Sequence, residues 1–238
     1  MSFGTLYLIP VPLGPNSPEQ VLPPPVLEQV RQLERFVAEN AKSARAFLKS
    51  AGVTRPLRDI PIAELNEHST PEQVPPLLEP LLQGQDVGLV SEAGCPAVAD
   101  PGAALVRLAQ QRGVPVVPMV GPSSLLLALM GSGLSGQHFA FHGYLPAKEE
   151  ERGQKLKALE KESRYLQSTQ IFIETPYRNR AMFESLLKAC QGNTLLCLAT
   201  DITLPSEAIR TQTVSAWKAS PLPPDLEKKP TVFLFLAQ

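Results

Sequence analysis

Hydrophobic and polar positions fall in blocks along this 238-residue chain. Short runs that are apolar at nearly every position are separated by longer stretches with apolar residues every third or fourth place. The first kind of block predicts a buried strand, the second a helix with one face inward. Residues 5–11 form a buried strand that ends against Pro10 and Pro12, and a loop rich in Pro, Gly, Asn and Ser follows over 12–25. Helices are predicted over 26–33 and 41–51, the latter stopped by Gly52, with a short strand over 35–39 between them. A helix over 72–82 carries Pro75, Pro76 and Pro80, which shorten or kink it. A strand over 86–91 leads to Asp100-Pro101-Gly102, which reads as a helix start with Asp100 as cap and Pro101 in the first turn. That helix spans 103–112 and ends at Gly113. An apolar strand over 114–120 and a helix over 125–131 complete this half.

The second half is patterned differently. Strands are predicted over 139–144, 170–174, 195–200, 209–213 and 231–236, with helices over 148–164 and 179–189. Continuously apolar strands alternating with helices imply a parallel sheet covered on both faces. The fold class expected is therefore α/β, with an N-terminal lobe (1–119) built on a parallel sheet and a C-terminal lobe (120–238) built on a mixed one. The length suits two lobes of ~100–120 residues.

Composition narrows the function classes. Apolar residues are 43% and charged residues 19% of the chain, ordinary for a folded protein. A net charge of −1 gives no global basic field, so any nucleic-acid contact needs a local basic patch. Three cysteines (Cys95, Cys190, Cys197) in no paired spacing, and three histidines, argue against a disulfide framework and a metal centre. No run approaches the ~20 apolar residues of a membrane span, and the first residues lack a signal-peptide pattern. The expected location is the cytoplasm.

Ligands of a parallel sheet bind beyond the carboxyl ends of its strands. Three strands here end in tight loops of small residues: Pro10–Gly14, Ser91-Glu92-Ala93-Gly94-Cys95-Pro96 and Val120–Ser124. Such loops let a backbone approach a ligand closely. The glycine signatures of a dinucleotide site, a P-loop and a hydrolase elbow are all missing. What remains is a small cofactor held largely through backbone groups.

The motifs then point to a family. VSEAGCPAVADPG (90–102), VGPSS (120–124), FHGYLP (141–146), IETPYR (173–178), the opening TLYLIPVPLG (5–14) and the segment 199–203 resemble the tetrapyrrole methylase superfamily. Within it the chain is most similar to the branch of the 16S rRNA cytidine 2′-O-methyltransferases, as a sister subgroup. The resemblance covers nearly the whole chain. It implies two α/β lobes, a homodimer, and S-adenosylmethionine in the cleft between the lobes. Carried onto matching positions, it implies cofactor contacts at Pro12, Ser91, Glu92, Ala93, Gly94, Val98, Ser123, Ser124, Glu174, Thr200 and Pro230.

Two segments depart from that branch, both on its acceptor side. Where the branch reads AEDTRHT this chain has Ala38-Glu39-Asn40-Ala41-Lys42-Ser43-Ala44, and where it reads HEHNE this chain has Asn66-Glu67-His68-Ser69-Thr70. Methyl transfer needs donor and acceptor aligned, and a hydroxyl acceptor must also lose a proton. The candidate bases are Glu39, Glu92 and His68, with Glu174 facing a rival role in an ion pair with Arg178. Lys42, Arg45 and Arg178 are the candidate acceptor-binding cations. Asp100 reads as structural, and the mixed-sign run 148–164 as a solvated helix. Three functions stay open: methylation of RNA at a ribose hydroxyl, methylation of a small molecule such as a tetrapyrrole, and a cofactor-binding module without activity.

Overall fold

The structure, a computed structural model, describes residues 2–224 and 226–238. The chain divides into two compact units, the first ending at Ser123 and the second starting at Ser124. Each has its own five-stranded sheet.

In the first unit β1 (Leu6–Ile9), β2 (Phe36–Ala38), β3 (Ile62–Glu64), β4 (Val87–Val90) and β5 (Val116–Pro118) pair in the order β3-β2-β4-β1-β5. All four pairings are parallel. Strand periodicity sorts the side chains onto two faces. Ile9, Phe36, Ala38 and Val90 pack under α1 (Pro24–Gln32) and α2 (Ala41–Ser50). Leu6, Val37, Val87 and Leu89 pack under α3 (Val74–Leu82) and α4 (Ala103–Gln111). Burial on both faces is why β4 is apolar throughout. The chain leaves β1 toward β2 on one face and leaves β4 toward β5 on the other. The neighbouring strands β1 and β4 therefore form the topological switch point, where a crevice opens at their carboxyl ends.

Several expectations shift. The strand expected over 114–120 shrinks to the three residues of β5, an edge strand whose later positions are exposed. Strand β3 lacks an apolar run, because as the opposite edge strand it is half-buried to exposed. The prolines of α3 are absorbed: Pro75 and Pro76 occupy its first turn, where no backbone N–H is needed, and Pro80 lies near the end of nine residues. Asp100 does not cap α4. The helix starts at Ala103 with Gly102 at the cap, and the Asp100 carboxylate instead accepts from Gly102 N at 2.6 Å, closing a local turn.

The second unit begins with α5 (Ser124–Ser132) and orders its strands β6-β7-β10-β8-β9. These are β6 (Phe139–Tyr144), β7 (Thr169–Glu174), β8 (Leu195–Thr200), β9 (Ala208–Thr213) and β10 (Thr231–Leu236). The β6–β7 pair is parallel and the other three pairs are antiparallel. α6 (Glu149–Leu166), α7 (Asn179–Ala189) and a short α8 (Val214–Ala219) close a core around Phe172, Phe233, Phe235 and Trp217. Phe172 stacks on Phe233 with centroids 5.7 Å apart, and Trp217 donates to Leu196 O at 2.8 Å. α5 lies against β8, β9 and β10.

The run 148–164 is not simply a solvated helix. Arg152 is buried and donates to Ser185 Oγ at 2.9 Å and Ala147 O at 2.7 Å. Glu160 is also buried, its carboxylate accepting from Gln191 N and Thr194 Oγ1. Both tie α6 to its neighbours in the way buried charge requires.

Candidate functional site

The carboxyl ends of β1 and β4 are joined directly. Val11 and Gly94 exchange two backbone hydrogen bonds, at 2.9 and 3.1 Å, just past the last strand residues. Gly94 has φ +72, and a side chain there would meet Leu13 Cδ2 at 3.1 Å and Pro122 O at 3.5 Å. The left-handed conformation and the crowding both require glycine. Gly121 is tighter still: a Cβ would fall 2.3 Å from Pro10. All three small-residue loops of the sequence thus meet at one place. A pocket of about 290 Å³ opens there, lined by Val11, Pro12, Ser43, Phe47, Ser91 and Glu92 among others.

Within these loops the expected residues take different parts. Ser91 is buried and its hydroxyl donates to Gly94 O at 3.2 Å, so it closes its own loop. Glu92 and Ala93 are exposed at the tip, and Val98 is 50% exposed. Pro12 and Ser123 are half-buried. Cys95 leans on Pro122 O at 3.4 Å, and burial pushes its thiol up.

An acidic group stands beside the pocket. Glu39 follows β2, Asp100 ends the loop after β4, and Glu92 lies on the tip of that loop. Burial, then the carboxyl of Asp100, then the charge of Glu92 push Glu39 up to about 7, against an opposing hydrogen bond from the Glu92 backbone. Asp100 Oδ2 is buried and finds no donor among the described residues. A proton on Glu39, shared with Asp100, answers both needs, since two touching carboxylates do not both ionise readily. The loop carrying Asp100 holds Ala97 and Ala99 at φ 66 and 55, left-handed geometry that non-glycine residues adopt at a cost.

The altered acceptor-side segment folds against this group. Asn40 caps α2, accepting from Lys42 N at 2.9 Å and Ser43 N at 3.1 Å. Ser43 Oγ donates to Glu92 Oε2 at 2.9 Å, and Ala41 N donates to Glu64 Oε1 at 2.9 Å. Lys42 is exposed, and Arg45 is half-buried with Nη1 3.3 Å from Ala41 O. His68 is turned to solvent, its side chain 85% exposed and its Nε2 3.7 Å from the Glu67 carboxylate. Glu39 and Glu92 are thus brought together, whereas the His68 backbone reaches Glu39 through Asn66, whose Oδ1 accepts from His68 N at 3.0 Å and whose Nδ2 donates to Glu39 O at 3.4 Å. Sequence reading missed Asp100 as a partner of Glu39, because Asp-Pro-Gly before a helix has the same letters as a cap.

In the second unit Glu174, Thr231 and Thr200 are cross-strand neighbours on β7, β10 and β8. They form one buried row beyond Phe172, Phe233 and Leu198, on the same face of the sheet. Pro230 precedes this row, and its carbonyl accepts from Asp201 N at 3.0 Å. Thr200 Oγ1 donates to Ala208 O at 3.1 Å. Ser124 opens α5 and is half-buried. Arg178 is engaged by Glu174: its Nη2 and Nε lie 2.7 and 3.0 Å from Oε1.

The first-unit loops suit a cofactor with a polar tail. The pocket combines small-residue backbone at Val11, Pro12 and Gly14 with the exposed Glu92, whose carboxylate accepts from Ser43 Oγ. Among the described residues no group of acidic, histidine and cysteine side chains could hold a metal ion.

Comparison with known proteins gives this geometry a context. No family model matches the chain. The ribosomal RNA small subunit methyltransferase I of Pseudomonas aeruginosa is 33% identical over 210 residues, covering 88% of this chain and 70% of the relative. The protein of the same name from Escherichia coli O157:H7 is 33% identical over 208 residues, covering 87% of this chain and 68% of the relative. Among solved structures, the methyltransferase CobJ superposes with a TM-score of 0.63 at 19% identity, over 100% of this chain and 95% of its own. A uroporphyrin-III C-methyltransferase from Thermus thermophilus complexed with S-adenyl homocysteine gives 0.58 at 16% identity, over 98% and 97%. The structures share the fold; the sequence relatives carry more. Identity of that order across most of both chains makes this protein a methyltransferase of the ribosomal RNA small subunit methyltransferase I family.

Proposed function

We propose that the chain methylates a ribose hydroxyl of small-subunit ribosomal RNA, with S-adenosylmethionine as donor. The observation that carries this reading is the carboxyl pair Glu39–Asp100 beside the joined β1 and β4 loops, in a chain of this family. The donor supplies an electrophilic methyl group on a sulfonium. A hydroxyl is a poor nucleophile until its proton leaves, so the acceptor requires a base held near neutrality. Glu39, pushed up to about 7, has that property. Asp100 holds its carboxyl in place, and Glu92, steadied by Ser43, faces the pocket. The loops Pro12–Gly14 and Ser91–Gly94 hold the donor through backbone groups, with Val98, Ser123 and Ser124 contributing from their flanks. Lys42 and Arg45 on α2 meet phosphates. The activity belongs in the cytoplasm, where the small subunit is assembled. The protein works as a homodimer: Leu126 and Met130, one turn apart on α5, are 52% and 79% exposed, an apolar stripe that a second copy would cover.

The test is methyl transfer from labelled donor to small ribosomal subunits that lack the modification, with the labelled nucleotide identified by mass. Label in a ribose is expected; label only in a small-molecule fraction would overturn the reading. Calorimetry on Gly94→Val checks the donor loop. Loss of S-adenosylmethionine binding with unchanged circular dichroism is expected, and retained affinity would remove this loop from the site.

A further inference from the structure

Tyr177 is 73% exposed, although an aromatic ring of its size ordinarily gains stability by burial. It sits on a single tight turn, Pro176–Arg178, between β7 and α7. That turn is firmly mounted. Pro176 fixes its first torsion, and Arg178 N donates to Thr175 O at 2.9 Å. The next residue, Asn179, is fully buried and donates to Leu226 O at 3.0 Å and Lys229 O at 2.8 Å.

The Arg178 guanidinium lies over the Tyr177 ring, 5.7 Å from its centroid, within the range of a cation–π contact. The guanidinium is locked from below. Glu174 Oε1 takes Nη2 at 2.7 Å and Nε at 3.0 Å, and Thr175 Oγ1 lies 3.1 Å from Nε. The Glu174 side chain is 0% exposed, so this pairing is shielded from salt. A cation so paired is a weak hook for phosphate. It remains a flat group held over one face of an aromatic ring whose side chain is open to solvent. Aromatic rings and guanidinium planes are the surfaces on which unpaired RNA bases stack.

We infer that Tyr177, with Arg178 fixed against it by buried Glu174, is a platform on which an unpaired base of the acceptor RNA stacks. This rests on the RNA reading above and changes one part of it: Arg178 acts through the platform and not as a phosphate contact. The adenine of the cofactor has the same stacking chemistry, so the experiment must separate the two.

The full-length chain, Tyr177→Ala and Tyr177→Trp are compared on two ligands. The first is a single-stranded oligoribonucleotide of small-subunit sequence carrying 2-aminopurine, whose fluorescence is quenched by stacking. The second is S-adenosylmethionine, followed by calorimetry. For Tyr177→Ala, RNA affinity is expected to fall roughly 5- to 150-fold, the range set by one stacked base. Quenching should be lost, while cofactor affinity and the salt dependence of RNA binding stay as in the parent. Tyr177→Trp should keep both ligands. If Tyr177→Ala binds RNA as the parent does, or loses the cofactor and keeps RNA, the platform is refuted while the RNA reading stands. If the parent chain itself binds no RNA at low salt, the RNA reading and the platform fall together.

Discussion

A proton between Glu39 and Asp100 has opposite consequences for stability and for chemistry. Glu39 is raised from 4.5 to about 7, first by burial and then by Asp100. The fold therefore prefers its protonated form. The stability linked to that form is complete below pH 4.5 and is lost as pH rises through 7. Chemistry runs the other way, because a base must be ionised, so methyl transfer should climb through the same window. Glu39→Gln is expected to remove the pH-dependent fall in melting temperature and to depress turnover ~10²–10⁴-fold, with cofactor affinity kept. Asp100→Asn takes away a like charge, so the acidic limb of the rate profile should move to lower pH. A limb that stays in place would mean that Asp100 does not set the pKa of Glu39. Cys190, pushed up to about 12 by burial and the charge of Glu160, has no comparable reactivity and reads as core.

Helix α2 decides whether the altered acceptor-side segment keeps its shape. Asn40 satisfies two orphan amides of its first turn, and Ser43 in that turn fixes Glu92. Asn40→Ala should cost about 1 kcal/mol in thermal or denaturant unfolding. It should also weaken activity more than stability, since Glu92 loses its tether. Asn40→Asp should restore the cap. Lys42 and Arg45 stand one turn apart on the same helix. Removing both charges should lower RNA affinity and reduce the salt slope by roughly 0.7 per lost phosphate contact for a single strand. A filter-binding series from low to moderate salt measures this, and an unchanged slope would assign α2 to another role. The strands over 5–11 and 114–120 came out shorter, at Leu6–Ile9 and Val116–Pro118, but the buried parallel strands were readable beforehand because they are largely apolar. Strand β3 and helix α8 were not, since a half-exposed edge strand and a six-residue helix leave too few apolar positions to show a period.

For the whole molecule, the exposed Leu126 and Met130 of α5 are the apolar side chains on which the dimer proposal rests. Light scattering should give about twice 25.8 kDa at micromolar concentration. Met130→Glu should return the protein to the mass of one chain, because it replaces the more exposed of the two apolar side chains with a charge. A parent that already scatters as one chain would end the dimer proposal.

What the chain states locally, it states well. Glycine and proline at strand ends, apolar runs of four to six residues and the loop motifs around 90–102 specify the elements and the family resemblance, since each depends on neighbours in sequence. The pairing of β1 with β4 does not. It brings Val11 to Gly94 across more than eighty residues and so creates the pocket. The same holds for Glu39, a candidate base from its position alone, whose raised pKa depends on burial and on Asp100 folded against it. Likewise Glu174, Thr231 and Thr200 became a buried row only through the register of three strands. Burial and contact with distant charge set the properties of these carboxyls. Both are defined by the packed chain, so only the tertiary structure could decide them.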